Sequence, residues 1–190
     1  RTPIMHACGD DACMIQLLLR AGAEVNARNE QGSVLAHLYG LSEEVSQMLY
    51  TAGARYCVDI PEDVRHAICN PFLYWLQQLI SDGLDVNQAV AENHTPLSMA
   101  AWAGKSEALQ LLLAAGAAAS IDVPDPEEGV TALHAAVIAC REEYSACPEN
   151  VAALLAAGAD ANLADKDGWT PLHSCAVYNL PDLVPMLLAA

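Results

Sequence analysis

A short segment that begins with apolar residues and ends at a glycine occurs five times along this chain of 190 residues. Its most regular copies read LLLAAGA at 111–117 and LLAAGA at 154–159. The closing glycines stand at 22, 53, 83, 116 and 158, so the copies lie 31, 30, 33 and 42 residues apart. A recurrence at this distance predicts tandem repeats of one small unit, because such a unit covers its apolar face only by stacking on its neighbours.

Two further motifs give each repeat a local structure. A Thr followed by Pro or Ala stands ahead of the apolar segment at positions 2, 95, 131 and 170. An acidic residue with Asn two positions later stands behind it at 24–26, 85–87 and 160–162. Thr caps a first helix, Pro fits the first turn of that helix, and Gly ends a second helix in the left-handed conformation. The Asp and Asn side chains then favour a turn toward the next repeat.

With these motifs the chain resembles the ankyrin-repeat proteins, whose T-P-L-H-x-A pattern and period of about 33 residues it matches. The resemblance spans nearly the whole chain. It implies an all-α repeat solenoid, elongated and curved, with helix-turn-helix units joined by β-hairpin loops. We expect a single ankyrin-repeat domain over 1–190 with six repeats, of which the second and third are divergent, at 1–32, 33–60, 61–92, 93–128, 129–167 and 168–190.

Three places depart from the repeat pattern. The third repeat lacks Thr-Pro, and only nine residues separate Gly53 from Glu62, so we expect a shortened or missing hairpin there. Acidic insertions lengthen the hairpin at 120–129 and the helix connection at 140–150. These insertions are either solvated loops or surfaces for a basic partner, and a calcium site is disfavoured because the EF-hand spacing is absent.

Composition excludes several classes of function. Apolar residues make up 54% of the chain, too many for a disordered segment. Eight Lys and Arg stand against 24 Asp and Glu, a net charge of −16 that disfavours binding to nucleic acid or anionic lipid. The longest apolar run, 111–119, is too short to cross a membrane, which takes about 20 residues. We therefore expect a cytoplasmic protein without a membrane segment.

The seven cysteines are odd in number, irregularly spaced and without a C-x-x-C pair, which favours reduced thiols that fill the core. Disulfide pairing of Cys8 with Cys13, or of Cys140 with Cys147, is the alternative.

No motif for catalysis or for binding a metal or cofactor is present. The chain has no Gly-rich phosphate loop, no G-x-S-x-G elbow and no H-E-x-x-H pair. Its histidines have no consistent spacing of the kind a metal site needs. The resemblance gives His134 and His173 a structural role, as side chains that bond to hairpin backbone. We expect no enzyme activity, no catalytic residue, no metal and no cofactor.

The resemblance instead implies a binding surface for another protein at the hairpin tips and at the ends of the first helices. Trp and Tyr dominate protein interfaces, and few are present here. Stacking of these aromatic residues between neighbouring repeats is the alternative. Transferred by register, the expected partner-binding residues are Trp102, Trp169, Tyr178, His94, Glu92, Ile138, Lys166, Glu127 and Glu128.

The sequence thus leads to three hypotheses of function. The first is a non-catalytic scaffold that binds a basic segment of another protein. The second is a targeting or autoinhibitory module of a larger enzyme or bacterial effector, which the absence of capping repeats at both ends favours. The third is self-association through an exposed end repeat.

Overall fold

A computed structural model of the chain describes residues 12–29, 32–33, 35, 41–90, 94–142 and 147–190. These residues form an all-α repeat solenoid, which confirms the predicted fold class. From residue 61 onward helical pairs follow one another along the chain, with short 3-10 turns at 117–120, 140–142 and 181–183. The helices are α1 (Ala12–Arg20), α2 (Glu43–Thr51), α3 (Pro61–Cys69), α4 (Tyr74–Ser81), α5 (Pro96–Trp102), α6 (Ser106–Ala114), α7 (Ala132–Ala139), α8 (Cys147–Ala156), α9 (Pro171–Val177) and α10 (Val184–Leu188).

A β-hairpin joins the first two repeats, as predicted. Strand β1 (Arg28–Asn29) pairs antiparallel with β2 (Gly32–Ser33), with Arg28 opposite Ser33 and Asn29 opposite Gly32. Two later hairpins are also closed by a backbone hydrogen bond across their base. The N–H of Asp125 donates to the Val130 carbonyl at 3.0 Å, and the N–H of Asp165 donates to the Trp169 carbonyl at 2.9 Å.

The chain folds into two compact units, Arg1–Leu84 and Asp85–Ala190. In the second unit the first helices of three repeats, α5, α7 and α9, lie side by side, and α6 and α8 pack behind α5 and α7. The division falls inside the predicted third repeat, between its second helix and the Asp-x-Asn segment. The single domain over 1–190 stays a prediction.

Alanine-rich packing holds the second unit together. Nearly every residue of α7, the central first helix, is buried, and four of its eight residues are Ala. Leu133 and Val137 fill the remaining space. Small side chains let neighbouring helices approach closely, and burial of each larger aliphatic side chain stabilises the fold by about 1.5–3 kcal/mol. Helices this short are not stable in isolation, so contact with their neighbours is what stabilises them.

The helix ends confirm the capping chemistry expected from the sequence. Thr95 Oγ1 accepts the N–H of Ser98 at 3.2 Å, and Pro96 occupies the first turn of α5. At the other end of the repeat, Gly116 has φ +100° and reverses the chain after α6. A residue with a Cβ is strained in that conformation, which explains why glycine returns at this place.

The third repeat has the shortened hairpin that its spacing predicts, because residues 54–60 form only a turn. Its anchor is a buried carboxylate that the sequence analysis missed. Asp63, in the first turn of α3, accepts the N–H of Ser33 on Oδ1 at 3.0 Å and that of Cys57 on Oδ2 at 2.9 Å. Asp63 thereby fastens strand β2 and the turn at 54–60 to α3, the first helix of the third repeat.

An aromatic cluster forms the core of the first unit. Trp75 is fully buried, and its Nε1 donates to Ser46 Oγ at 2.8 Å. The hydroxyl of Tyr74 donates to the same oxygen at 2.6 Å. Tyr50 and Tyr56 meet the Trp75 ring edge-on, with centroids 5.2 and 5.4 Å away. Such edge-to-face pairs add stabilisation beyond the area they bury.

The cysteines depart in part from the prediction of reduced thiols. Cys13, Cys57, Cys69 and Cys175 are reduced thiols, but Cys140 is disulfide-bonded. The predicted reduced state is therefore wrong at Cys140. The alternative pairing with Cys147 stays a prediction, because the Cys147 side chain lies outside the described residues, as does Cys8.

Candidate functional site

Three apolar side chains stand in one register on neighbouring helices of the second unit. Trp102, Ile138 and Val177 each follow the capping Thr of their repeat by seven residues. Trp102 is 36% exposed and Val177 55% exposed, while Ile138 is half-buried. Because α5, α7 and α9 lie side by side, these residues occupy equivalent positions on neighbouring helices, and the three together are named here the apolar row. Exposed apolar side chains that line up are typical of an interaction surface.

Positive charge lies beside the C-terminal ends of these helices. Lys105 follows α5, and Arg141 follows α7. The Arg141 guanidinium lies over the Tyr178 ring, 5.4 Å from its centroid. Tyr178 is half-buried under this contact, so the predicted partner-binding residue presents only part of its ring. The cation–π contact also fixes the position of the Arg141 charge.

The hairpin between the fourth and fifth repeats is an acidic loop built around one carboxylate. Asp125 accepts the N–H groups of Glu127, Glu128 and Val130 at 2.9, 2.8 and 2.7 Å. Burial alone would raise the pKa of Asp125, but the three N–H donors outweigh it and hold that pKa below its usual value. Asp125 therefore stays charged and rigid, while Glu127 and Glu128 are exposed at the tip.

The next hairpin repeats this design and docks on the first. Asp165 Oδ1 accepts the N–H of Asp167 at 3.0 Å and that of Trp169 at 2.8 Å. The N–H of Lys166 donates to the Glu128 carbonyl at 2.9 Å, and Lys166 Nζ donates to the Pro126 carbonyl. The Lys166 ammonium is thus turned onto the neighbouring hairpin, which leaves the exposed carboxylates as the main charges of the tips.

Trp169 presents its indole from a backbone held on two sides. Its N–H is bound by Asp165, and its carbonyl accepts from His134 Nε2 at 3.0 Å. The indole is 42% exposed, and its ring centroid lies 6.2 Å from that of His173. A fixed backbone beneath an exposed aromatic ring lowers the ordering cost of binding a partner.

His134 has the structural role expected from the sequence. The N–H of Thr131 donates to its Nδ1, so the proton of the neutral ring sits on Nε2 and bonds to Trp169. Burial lowers the pKa of His134, and the opposing effects of the Trp169 carbonyl and Asp165 do not reverse the shift.

The two remaining predicted contact residues are His94 and Glu92. His94 is half-buried, and its Nδ1 is enclosed without a hydrogen-bond partner. Glu92 lies outside the described residues.

The chemistry of the described residues is that of a surface for binding. No group of three or more His, Cys, Asp and Glu side chains within these residues could hold a metal ion. Within the same residues, no helix is both long and apolar enough to cross a membrane. What the second unit offers is the apolar row with its exposed Trp102, the exposed indole of Trp169 and a rim of carboxylates.

Comparison with known families accounts for most of the chain. A model described as "Ankyrin repeats (3 copies)" matches residues 65–147, one described as "Ankyrin repeats (many copies)" matches 137–188, and one described as "Ankyrin repeat" matches 1–30.

Curated relatives are similar over parts of their length. An ankyrin repeat protein of Fowlpox virus (strain NVSL) is 34% identical over 116 residues, 60% of this chain and 32% of that protein. The RelA-associated inhibitor of Mus musculus is 34% identical over 123 residues, 64% of this chain and 11% of that protein. The E3 ubiquitin-protein ligase KEG of Arabidopsis thaliana is 27% identical over 208 aligned positions, 97% of this chain and 12% of that protein. The chain thus spans a third or less of these three relatives.

Proposed function

Since the chain belongs to the ankyrin-repeat family, it is a protein–protein interaction module, and we propose that it is a non-catalytic scaffold that captures a basic segment of another protein. The observation that carries this proposal is the apolar row beside the acidic hairpin tips of the second unit. Partner contacts fall on Trp102, Ile138 and Tyr178 along the helices, and on Trp169, Glu127 and Glu128 at the tips.

The apolar and charged parts of this surface have different tasks. Exposed Trp side chains bury large areas on binding and set the lifetime of a complex. Carboxylates at the tips, together with a net charge of −16, speed the encounter with a basic segment and lose that effect as salt rises. The name of the mouse relative, an inhibitor associated with RelA, fits a family role in which one protein holds another.

Random 18-residue peptides displayed on phage and selected against the whole chain test the proposal. We expect the selected peptides to be rich in Lys and Arg and to bind more weakly at 300 mM than at 50 mM salt. Trp102→Ala and Trp169→Ala should each weaken binding about tenfold or more, the range of an interface hot spot. Leu17→Ala is the matched control, because Leu17 is an exposed apolar residue of the first unit.

Three results would contradict the scaffold proposal. The selected peptides could lack basic residues, their affinity could be the same at both salt concentrations, or they could bind both Trp variants as tightly as the Leu17→Ala control. Circular dichroism of each variant separates lost contacts from lost folding.

A second candidate is a targeting or autoinhibitory module of a larger enzyme. The similarity to the plant ubiquitin ligase favours this candidate, because the alignment covers 97% of this chain but only 12% of the ligase. The test is to compare the activity of the full-length gene product with that of a form lacking residues 1–190. Equal activity and equal substrate choice in both forms would reject this candidate. Self-association, the third hypothesis, predicts a mass that rises with concentration in sedimentation equilibrium, and a constant monomer mass would reject it.

A further inference from the structure

The spacing of the apolar row restricts the conformation of whatever binds along it. Trp102, Ile138 and Val177 stand on adjacent packed helices, and packed helix axes lie about 8–10 Å apart. A bound chain must therefore present an apolar side chain about every 10 Å, on one face, three times in succession.

An α-helix meets this requirement and an extended strand does not. Seven residues of α-helix rise about 10.5 Å and return the side chain to nearly the same face, with a drift of about 20° per heptad. Over two heptads the drift stays within an apolar stripe of about 100°. In a strand, side chains on one face recur at about 7 Å and then about 13 Å, and both distances miss the row.

A polyproline helix also returns to one face after three residues and about 9 Å, so the chemistry of the row must decide. Proline-rich segments dock in grooves lined by aromatic side chains. Here the centre of the row is Ile138, and Val177 at its end is also aliphatic. Only Trp102 of the three side chains is aromatic, and a row that is two-thirds aliphatic suits the broad apolar stripe of an α-helix instead.

Charge on either side of the row fits a helix with two different flanks. The carboxylates of Glu127, Glu128 and Asp167 stand at the N-terminal ends of the first helices, and Lys105 and Arg141 stand at the C-terminal ends. The seven residues from the capping Thr to the row rise about 10.5 Å, which is close to the diameter of an α-helix. A helix centred on the row therefore extends about 5–6 Å toward the acidic tips, and long Lys or Arg side chains on that flank can span the rest of the distance.

We propose that the occupant of the apolar row is an amphipathic α-helix of the partner protein, with apolar residues at i, i+7 and i+14. Its Lys and Arg side chains face the hairpin tips, and its Asp and Glu side chains face Lys105 and Arg141. The inference rests on the proposed function and specifies the partner of the same surface.

The phage selection described above supplies the probe. Selected 18-residue peptides are sequenced, and those whose binding falls at least tenfold with Trp102→Ala are examined for periodicity. We expect apolar residues seven positions apart, helical circular dichroism on binding, and at least a tenfold loss when Pro replaces a residue midway between two of them.

Pairwise coupling then locates each anchor. Replacing the central apolar residue of a selected peptide by Ala should be non-additive with Ile138→Ala, and replacing a terminal one should be non-additive with Val177→Ala. Val177 is more exposed than Ile138, so its variant keeps the test valid even where Ile138→Ala disturbs folding.

Each outcome of this experiment decides between the two proposals. Peptides that depend on Trp102 but show a three-residue proline period, an alternating period or no period overturn the helix inference and leave the scaffold function standing. A selection in which no peptide depends on Trp102 or Trp169 overturns both. Full additivity in the pairwise measurements overturns the assigned register.

Discussion

Removal of the Asp63 carboxylate should destabilise the first unit more than any surface substitution. Both carboxylate oxygens accept backbone N–H groups, from Ser33 and Cys57, and Asp63 is fully buried. Asp63→Ala removes the side-chain acceptor of both N–H groups, and the loss of such an acceptor costs about 1–3 kcal/mol for each bond. The sum of about 2–6 kcal/mol is a large part of the 5–15 kcal/mol typical of a whole domain.

Asp63→Asn separates the hydrogen bonds from the space that the side chain fills. Its amide oxygen still accepts one N–H, while its NH₂ group faces the other donor, so we expect a loss between that of Asp63→Ala and zero. Asp59→Ala is the control, because Asp59 is an exposed acid of the same turn. An exposed substitution of this kind changes stability by less than about 0.5 kcal/mol.

Urea unfolding followed by tryptophan fluorescence measures the effect in the unit that carries it. Trp75 is buried in the first unit, whereas the other two Trp residues are already exposed, so the emission shift reports mainly on Trp75. With a slope of about 2 kcal/mol/M, the middle of the usual range for urea, the Asp63→Ala midpoint should fall by about 1–3 M. A midpoint equal to that of the Asp59→Ala control would refute the anchoring role of Asp63.

Three further predictions concern the second unit. Gly129→Ala should lower the free energy of unfolding by about 1–2 kcal/mol more than Gly168→Ala, as measured by thermal unfolding. Both glycines have positive φ, but only at Gly129 would the new Cβ lie 3.0 Å from Lys166 N. Equal losses of stability in the two variants would contradict this. Burial lowers the pKa of His134 in the folded state, so this residue contributes stability above its unfolded pKa of about 6.5, and that stability is lost as pH falls. When the stability of each protein is expressed relative to its value at neutral pH, wild type should therefore begin to unfold at a higher pH than His134→Gln. Parallel curves for the two proteins would contradict this. Asn150→Ala should raise the melting temperature, because both amide atoms of Asn150 are buried without a partner; a lower melting temperature would show that the amide is satisfied.

The sequence predicted the regular parts of the fold because they depend on local chemistry. Thr95, Pro96 and Gly116 act within one turn of the backbone, so their motifs indicate helix starts and stops directly. The same register placed Trp102 and Trp169 on the surface, where both are found exposed. Their role in binding stays a prediction.

What the sequence did not predict depends on contacts between distant residues. Nothing near Arg141 in the chain indicates that it lies over the Tyr178 ring, 37 positions later. The position of Lys166 at a hairpin tip predicts a side chain that is available to a partner, yet its ammonium group donates to the neighbouring hairpin. Such pairings arise only when repeats stack, so a motif read within one repeat does not reveal them.

The third repeat shows that a position can keep its task while its residue and its polarity change. In the first turn of the first helix, His134 donates from Nε2 to the carbonyl of Trp169, the residue after the hairpin glycine of the next repeat. Asp63 holds the same helix position and accepts the N–H of Ser33, which follows the hairpin glycine of the preceding repeat. Both side chains fasten a first helix to a neighbouring hairpin at the same place, one through a donor and the other through an acceptor. The missing Thr-Pro-x-His motif therefore does not mean that the third repeat is loosely attached, and a search for this motif alone would overlook the buried carboxylate that replaces it.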